Sequence, residues 1–376
     1  MTNARTALMF SRPARTLQVL ALALGTTLAG AQTASSLPRS TVETISVNSG
    51  QRAEIESYVN NWSQRVNSDD AQDVKRAMEA LTEPLHERGV TIAFRQAYAQ
   101  LVMPIIDDMA DSGSVQGQMN ALRLAGDLAT PRAALKIRSM FNNDDAGVQL
   151  FAISNAGRVL QSIGVHGPSM SIADANALIN EINEAAADNM DNIELTRTCA
   201  RALTEGTRIS SRDLADVRNN AIVALSDLVG SHLRSVVGSD DPSFAQSLAL
   251  DAASALTQAM SDISAQINAD AARASVRLGG DIIAVPLRQV IANSIPDTDD
   301  RDSTIKSVQS GETLLYFARR KAVELDGKSS VGINTTDFST MLSEGEDRDF
   351  RNEAASLLSP GGALKDFGFA DDQFLF

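Results

Sequence analysis

Cysteine is almost absent from this chain, since Cys199 is the single one among 376 residues. One cysteine cannot form an internal disulfide, and it cannot supply the several thiolates of a structural zinc site. Helical spacing places Cys199 on the same apolar side of a predicted helix as Leu195 and Leu203. We therefore predict a buried, unreactive thiol that serves as a small hydrophobic side chain.

Histidine is nearly as scarce, and the three present, His86, His166 and His232, form no metal-binding spacing. The chain also has no phosphate-binding glycine loop, no dinucleotide fingerprint and no Gly-x-Ser-x-Gly nucleophile turn. The sequence therefore predicts no catalytic residue, no cofactor and no metal. A hydrolase whose residues meet only in the folded chain is the alternative, with His166 in its glycine-flanked segment as the best candidate.

An acidic cluster at residues 297–302 raises the question of a calcium loop. Its spacing fails, because Asp302 stands where the turn needs glycine and Val308 stands where a bidentate acid is needed. We interpret the cluster as a solvated acidic linker.

Long apolar runs are missing except near the beginning, where residues 17–25 form a run too short to span a bilayer. Arg5, Arg12 and Arg15 precede this run without any acid, and a small-residue sequence ends at Ala31. This order predicts a cleaved bacterial signal peptide over residues 1–31 and a periplasmic or secreted protein. Because Ala31 stands where a lipidated cysteine would be, no lipid anchor is expected, and no later segment predicts an integral membrane span.

Basic residues are outnumbered, with 33 Lys and Arg against 47 Asp and Glu, so the net charge is -14. Removal of the predicted leader, which carries three arginines and no acid, makes the chain more acidic still. The longest basic run is only residues 319–321. Such a surface repels phosphate backbones, and we therefore expect no binding to nucleic acid.

What the sequence does contain is helical periodicity. After a linker at residues 32–50, apolar side chains recur at steps of three and four throughout residues 51–293, while strand alternation is nearly absent. The first such stripe comprises Ile55, Tyr58, Val59, Trp62 and Val66. These residues predict an all-α domain made of antiparallel helix pairs.

Three segments, residues 119–128, 150–160 and 220–229, share small residues interleaved with leucine or isoleucine. They resemble the second helix of HEAT or armadillo repeats, although their spacing is irregular. The resemblance implies an irregular α-solenoid with an extended surface for another protein. A helical bundle fits the same pattern, and both folds stay open at this point. We expect a non-enzymatic scaffold that binds another protein of the bacterial envelope.

The composition changes after residue 293. We predict an acidic linker at residues 294–310, a helix at 311–327 and a mostly disordered tail at 328–376. The tail holds half of the twelve phenylalanines, and those at its end are Phe367, Phe369, Phe374 and Phe376. Aromatic residues in such a segment predict docking, either on the chain's own helices or on a partner.

Residues 308–320 resemble the first half of a LysM module, whose pattern is a strand ending in Gly-Asp-Thr-Leu followed by a helix. The resemblance implies binding of peptidoglycan or another polymer containing N-acetylglucosamine. By residue match, Gly311, Glu312, Thr313 and Leu314 would form the binding turn. The same residues also fit an ordinary helix capped by Ser310, and this second interpretation stays open.

Overall fold

The fold was described from a computed structural model that covers residues 36–236, 243–292 and 299–374. Within these ranges the chain forms fifteen α-helices, two short 3₁₀ turns and no strand. The prediction of an all-α fold is therefore confirmed. The predicted signal peptide lies outside the described residues.

Most helices have 14 to 27 residues and short polar connections. In chain order they are α1 (Arg39–Val42), α2 (Ser49–Ser63), α3 (Ala71–His86), α4 (Ile92–Ala110), α5 (Val115–Leu128), α6 (Pro131–Arg138), α7 (Ala146–His166), α8 (Ile172–Ala187), α9 (Ile193–Thr207), α10 (Ala215–Ser235), α11 (Ser243–Ser261), α12 (Ala269–Ile291), α13 (Asp299–Leu325), α14 (Phe338–Glu344) and α15 (Asp347–Leu358).

Polar caps determine where these helices begin. Asn48 and Gln51 form a reciprocal capping box at α2, and the Thr91 hydroxyl accepts the backbone N–H of Phe94 at 3.1 Å. Pro131 occupies the first turn of α6, where its missing N–H costs nothing. Each cap satisfies donors that a helix start would otherwise leave unpaired.

The helices stack as six hairpins in two layers. The hairpins pair α2 with α3, α4 with α5, α6 with α7, α8 with α9, α10 with α11, and α12 with α13. The first members contact one another in succession and form layer A, while the second members do the same and form layer B. Contacts that connect each hairpin mainly with its neighbours are typical of a helical-repeat stack.

Polar side chains connect successive helices of layer A. The bridging pairs are Arg132 with Asp107, Arg138 with Glu181, Asn220 with Asn180, and Arg234 with Asp281. Together they connect α4, α6, α8, α10 and α12. Because each pair joins two hairpins, the ladder fixes the register of one hairpin on the next.

Layer B is held by small residues and apolar packing. A Cβ on Gly157 of α7 would lie 2.9 Å from the Cα of Ala202 on α9, so only glycine permits this helix approach. Cys199 is fully buried beside this contact, and burial raises its pKa to about 12. The prediction of a buried thiol is confirmed.

The segment predicted as an N-terminal linker is part of the folded body where it is described. The backbone N–H of Thr91 donates to the carbonyl oxygen of Val42 at 3.2 Å, and Val42 itself is fully buried. The prediction was wrong for residues 36–50, because a single turn of helix offers too little periodicity to be recognised in a sequence.

The predicted acidic linker was also misplaced. Helix α13 begins at Asp299, and its Val308 is fully buried. The apolar stripe continues through Leu315 and Ala322 at helical spacing, while the polar residues between them hid the pattern. Only residues 294–298 of this stretch lie outside the described residues.

The tail predicted to be mostly disordered contains two packed helices. α14 contacts α13, α15 contacts α12, and the two helices contact each other, so they cover the end of the stack. Phe338 and Phe350 are buried and meet edge to face, with ring centroids 5.7 Å apart. The prediction was wrong because these phenylalanines supply apolar area that makes folding of a terminal cap favourable.

The last described aromatic residues dock on the chain's own helices. Phe374 is 5% exposed and lies against Gly280 of α12, where a Cβ would come within 2.5 Å of the ring. Phe369 contacts the rings of both Phe367 and Phe374. Of the two docking targets considered, the structure therefore shows the chain's own body; Phe376 lies outside the described residues.

Candidate functional site

A groove of about 470 Å³ runs along layer B between α5, α7 and α9. Its floor includes the half-buried side chains of Met119, Leu150 and Phe151, and its rim includes Arg158 and Arg201. We call this surface the B-layer groove. Its lining residues on α7 recur at helical spacing and flank Gly157, where α7 approaches Ala202 of α9 closely.

The charge of this groove differs from that of the chain as a whole. Helix α7 contains no acidic residue, although the chain has a net charge of -14. Arg158 is paired with Asp127, their Nη2 and Oδ1 atoms lying 2.5 Å apart, and Glu205 is paired with Arg208 at 2.7 Å. Arg201 is exposed and has no ion-pair partner within the described ranges, so the rim presents a positive charge.

A smaller cavity of about 210 Å³ adjoins the groove and shares Arg158 and Gln161 with it. Arg95 of α4 lines this cavity and is 1% exposed. Its Nη1 donates to the carbonyl oxygen of Asp127 at 2.6 Å, and its Nη2 donates to that of Leu85 at 2.7 Å. Burial lowers the pKa of Arg95 to about 10, so the guanidinium stays charged at neutral pH.

Two histidines that are distant in sequence meet at this cavity. The Nε2 of His86 lies 3.3 Å from Oδ2 of Asp127, and His166 lines the same space from the last turn of α7. Burial lowers the pKa of His166 to about 4, with smaller contributions from the positive charges of Arg95 and His86. His166 is therefore neutral at neutral pH, and the glycine-flanked segment that contains it is helical up to His166 itself.

Nucleophilic catalysis would need a hydroxyl hydrogen-bonded to a base. Ser162 lines the cavity, but in the described part of the chain no hydrogen bond joins it to His86 or His166. The hydrolase alternative thus has a cluster of histidine, aspartate and serine without the contact that would activate a nucleophile. No observation favours it over binding.

The four residues assigned to a LysM-like turn lie in the middle of α13 instead. Leu314 is fully buried, and a Cβ on Gly311 would lie 2.7 Å from Ile282. The prediction of a glycan-binding turn at Gly311, Glu312, Thr313 and Leu314 is contradicted, because only Thr313 is exposed and the strand that should precede the turn is helical. The helical interpretation holds, although the helix begins before Ser310.

Glu312 instead caps α14. Its carboxylate accepts the backbone N–H groups of Phe338 at 2.6 Å and Ser339 at 3.1 Å, and also the hydroxyl of Thr336 at 2.8 Å. Asp337, at the N-cap position itself, makes no side-chain cap. A residue that is distant in sequence therefore pairs the backbone N–H groups at the start of α14.

Sequence reasoning missed Arg95 and Asp127, which are the buried charged residues of the smaller cavity. A signal existed, since Arg95 stands between Phe94 and Tyr98 on an apolar face and buried arginines are rare. Within the described ranges, the smaller cavity included, no group of three His, Cys, Asp or Glu side chains could hold a metal ion. The helices within those ranges are each too short or too polar to cross a membrane.

Comparisons with known proteins give little further information. No family model matches the chain, and no curated protein matches it. Among solved structures, a crystal structure of an engineered protein matches 68% of this chain and 97% of its own, with 18% identity and a TM-score of 0.36. At this TM-score the match adds nothing to the description of the fold, which rests on the helix contacts given above.

Proposed function

We propose that this chain is an exported, non-enzymatic scaffold that binds another protein of the bacterial envelope through the B-layer groove. The observation that carries the proposal is the groove itself, in which apolar side chains are left half-exposed beside an unpaired arginine. The predicted signal peptide at residues 1–31 supports export to the periplasm or the medium.

The order of the helices supports a HEAT-like repeat. Successive hairpins contribute one helix to each layer, and the terminal hairpin of α14 and α15 covers the end of the stack. Repeat stacks of this kind use one layer as an extended binding surface, and they need a cap at the terminus. The small and apolar residues of the segments at 119–128 and 150–160 lie on α5 and α7, which border the groove.

The composition of the groove favours a polypeptide ligand. Half-buried Leu150 and Phe151 provide apolar area, while Arg201 provides a charged donor at the rim. Aromatic side chains and arginine contribute more than their share of binding energy where proteins meet. We expect the partner to present apolar side chains next to an acidic residue or a carbonyl group.

A charge placed on the groove floor should abolish binding. We expect Leu150→Glu to weaken capture of the partner from an envelope fraction by about tenfold or more, because the new carboxylate must be desolvated on complex formation. Leu250→Glu is the matched control, since Leu250 is an exposed leucine on α11 outside the groove. Affinity purification with quantitative mass spectrometry measures both.

Equal capture by wild type and Leu150→Glu would contradict the groove as the binding site. Loss of capture with both variants would point to a general effect of added negative charge. Circular dichroism and thermal unfolding of the two variants verify that each remains folded.

A further inference from the structure

We infer that the small cavity lined by His86, Arg95, Asp127, Arg158 and His166 is a binding site for a carboxylate group. The inference goes beyond the proposed protein-binding role and does not depend on it. We call this space the arginine cavity.

The first argument is an unused buried donor. Both terminal nitrogens of Arg95 are hydrogen-bonded to backbone carbonyl oxygens, but its Nε has no partner. The side chain is 1% exposed and lines the cavity, so bulk water does not satisfy this N–H. Buried donors in folded proteins are normally paired. Because Arg95 lines the cavity, we expect an acceptor bound in the cavity to pair its Nε–H.

The second argument is a set of further donors around the cavity that have no partner. Gln161, Ser162 and His166 also line it, and none of their side chains makes a hydrogen bond within the described ranges. Asp127 is the single acid of the lining; Arg158 binds its Oδ1, while its buried Oδ2 has no hydrogen-bond partner and lies 3.3 Å from Nε2 of His86. Oxygen acceptors of a ligand can pair the donors of Gln161, Ser162 and His166 and the Nε–H of Arg95.

The third argument is charge. Arg95 and Arg158 carry two positive charges against the one negative charge of Asp127. The carbonyl oxygens at the helix ends that Arg95 contacts offset part of the remaining positive charge. Burial is the main cause of the lowered pKa of His166, and Arg95 and His86 add to it. In a chain with a net charge of -14, this cavity is a positive exception.

These features together specify the ligand. A carboxylate supplies two coplanar oxygen acceptors, which match guanidinium donors in both geometry and charge. A volume of about 210 Å³ admits this group with a few carbon atoms. The carboxylate can come from a small free acid, or from the end of a polypeptide in the B-layer groove, which shares Arg158 and Gln161.

Proton NMR of the intact protein tests the site. Formate is added at neutral pH and constant ionic strength, with chloride as the balancing anion. We expect saturable shifts of the His86 and His166 signals and a downfield shift of the Arg95 Nε–H, because that proton gains a charged acceptor. His232 is the internal control, because it lies on α10 against Phe244 rather than at the cavity. The variant His166→Gln assigns the signals.

Two substitutions test the donor set without removing the buried Arg95. Arg158→Gln should weaken formate binding by about tenfold, through loss of a charged donor. Arg123→Gln should leave binding unchanged, because Arg123 is an exposed arginine on α5 outside the cavity. Equal effects of the two variants would overturn the proposal.

The source of the carboxylate is distinguished with N-acetyl-leucine and its amide. Tighter binding of the acid than of formate supports a polypeptide end, and equal binding supports a small free acid. Shifts produced equally by the amide would overturn recognition of a carboxylate. If neither acid shifted the NMR signal of the Arg95 Nε–H, the site itself would be overturned. That result would not bear on the B-layer groove, which is tested by the Leu150→Glu and Leu250→Glu variants.

Discussion

Replacement of Arg95 by methionine is expected to reduce the free energy of unfolding by roughly 3 to 5 kcal/mol. The guanidinium is fully buried, and its hydrogen bonds join the carbonyl ends of α3 and α5 across three helices. Methionine fills most of the volume but leaves the carbonyl oxygens of Leu85 and Asp127 without their donor. It also leaves Asp127 with fewer positive neighbours.

Urea unfolding followed by circular dichroism measures this loss. The control is Arg88→Met, since Arg88 is exposed near the end of α3 and should change stability by no more than about 0.5 kcal/mol. Hydrogen exchange should show the largest loss of protection at the last turns of α3 and α5. If Arg95→Met unfolded at the same urea concentration as wild type, Arg95 would not be the residue that joins these helix ends.

Replacement of Glu312 by alanine is expected to detach the terminal helices α14 and α15 and to destabilise their packing by roughly 2 to 4 kcal/mol. The substitution removes a charged acceptor from two backbone N–H groups at the start of α14 and from the hydroxyl of Thr336. Phe338 is buried at this point, so water cannot easily replace the carboxylate. We expect α14 and α15 to lose their packing on α12 and α13 together.

Hydrogen exchange over residues 338–358 is the direct measurement, and the expected result is faster exchange there than in the rest of the chain. Glu324→Ala is the matched control, because Glu324 lies on the same helix with about half of its side chain exposed, and its carboxylate contacts the hydroxyl of Ser330 and, at longer distance, Arg320. Unchanged protection of α14 in Glu312→Ala would show that hydrophobic packing alone holds the cap.

Much of the fold could be predicted because its information is local. The apolar stripe that begins at Ile55 and the proline at position 131 each act within a few residues of sequence. Cys199 was likewise predicted to be buried from its position on one apolar face. Periodicity of this kind states which side of a helix is covered, but it does not state which helix covers it.

The C-terminal region was mispredicted for that reason. The beginning of α13 is rich in acids, and its apolar stripe is narrow. The backbone N–H of Phe338 at the start of α14 donates to Glu312, which lies more than twenty residues earlier in the chain. A cap supplied by another helix has no local signature, so the segment looked disordered.

The two candidate sites could not be predicted from spacing. The arginine cavity draws His86, Arg95, Asp127 and His166 from four different helices, and their sequence separations carry no pattern. The residues that did match a short motif, around Gly311, were placed in a helix interior by packing against Ile282. A match over so few positions is consistent with both a turn and a helix, and tertiary contacts determined the outcome.

Photocrosslinking from the B-layer groove tests the central claim most directly. Ser154 is exposed on α7 at the groove, whereas Leu135 is exposed on α6 in layer A. A photoreactive amino acid is placed at each position, and the protein is irradiated in intact cells. We predict a discrete adduct with one envelope protein from position 154 and none from position 135. Equal adducts from both positions, or no adduct from position 154, would contradict a partner bound in the groove.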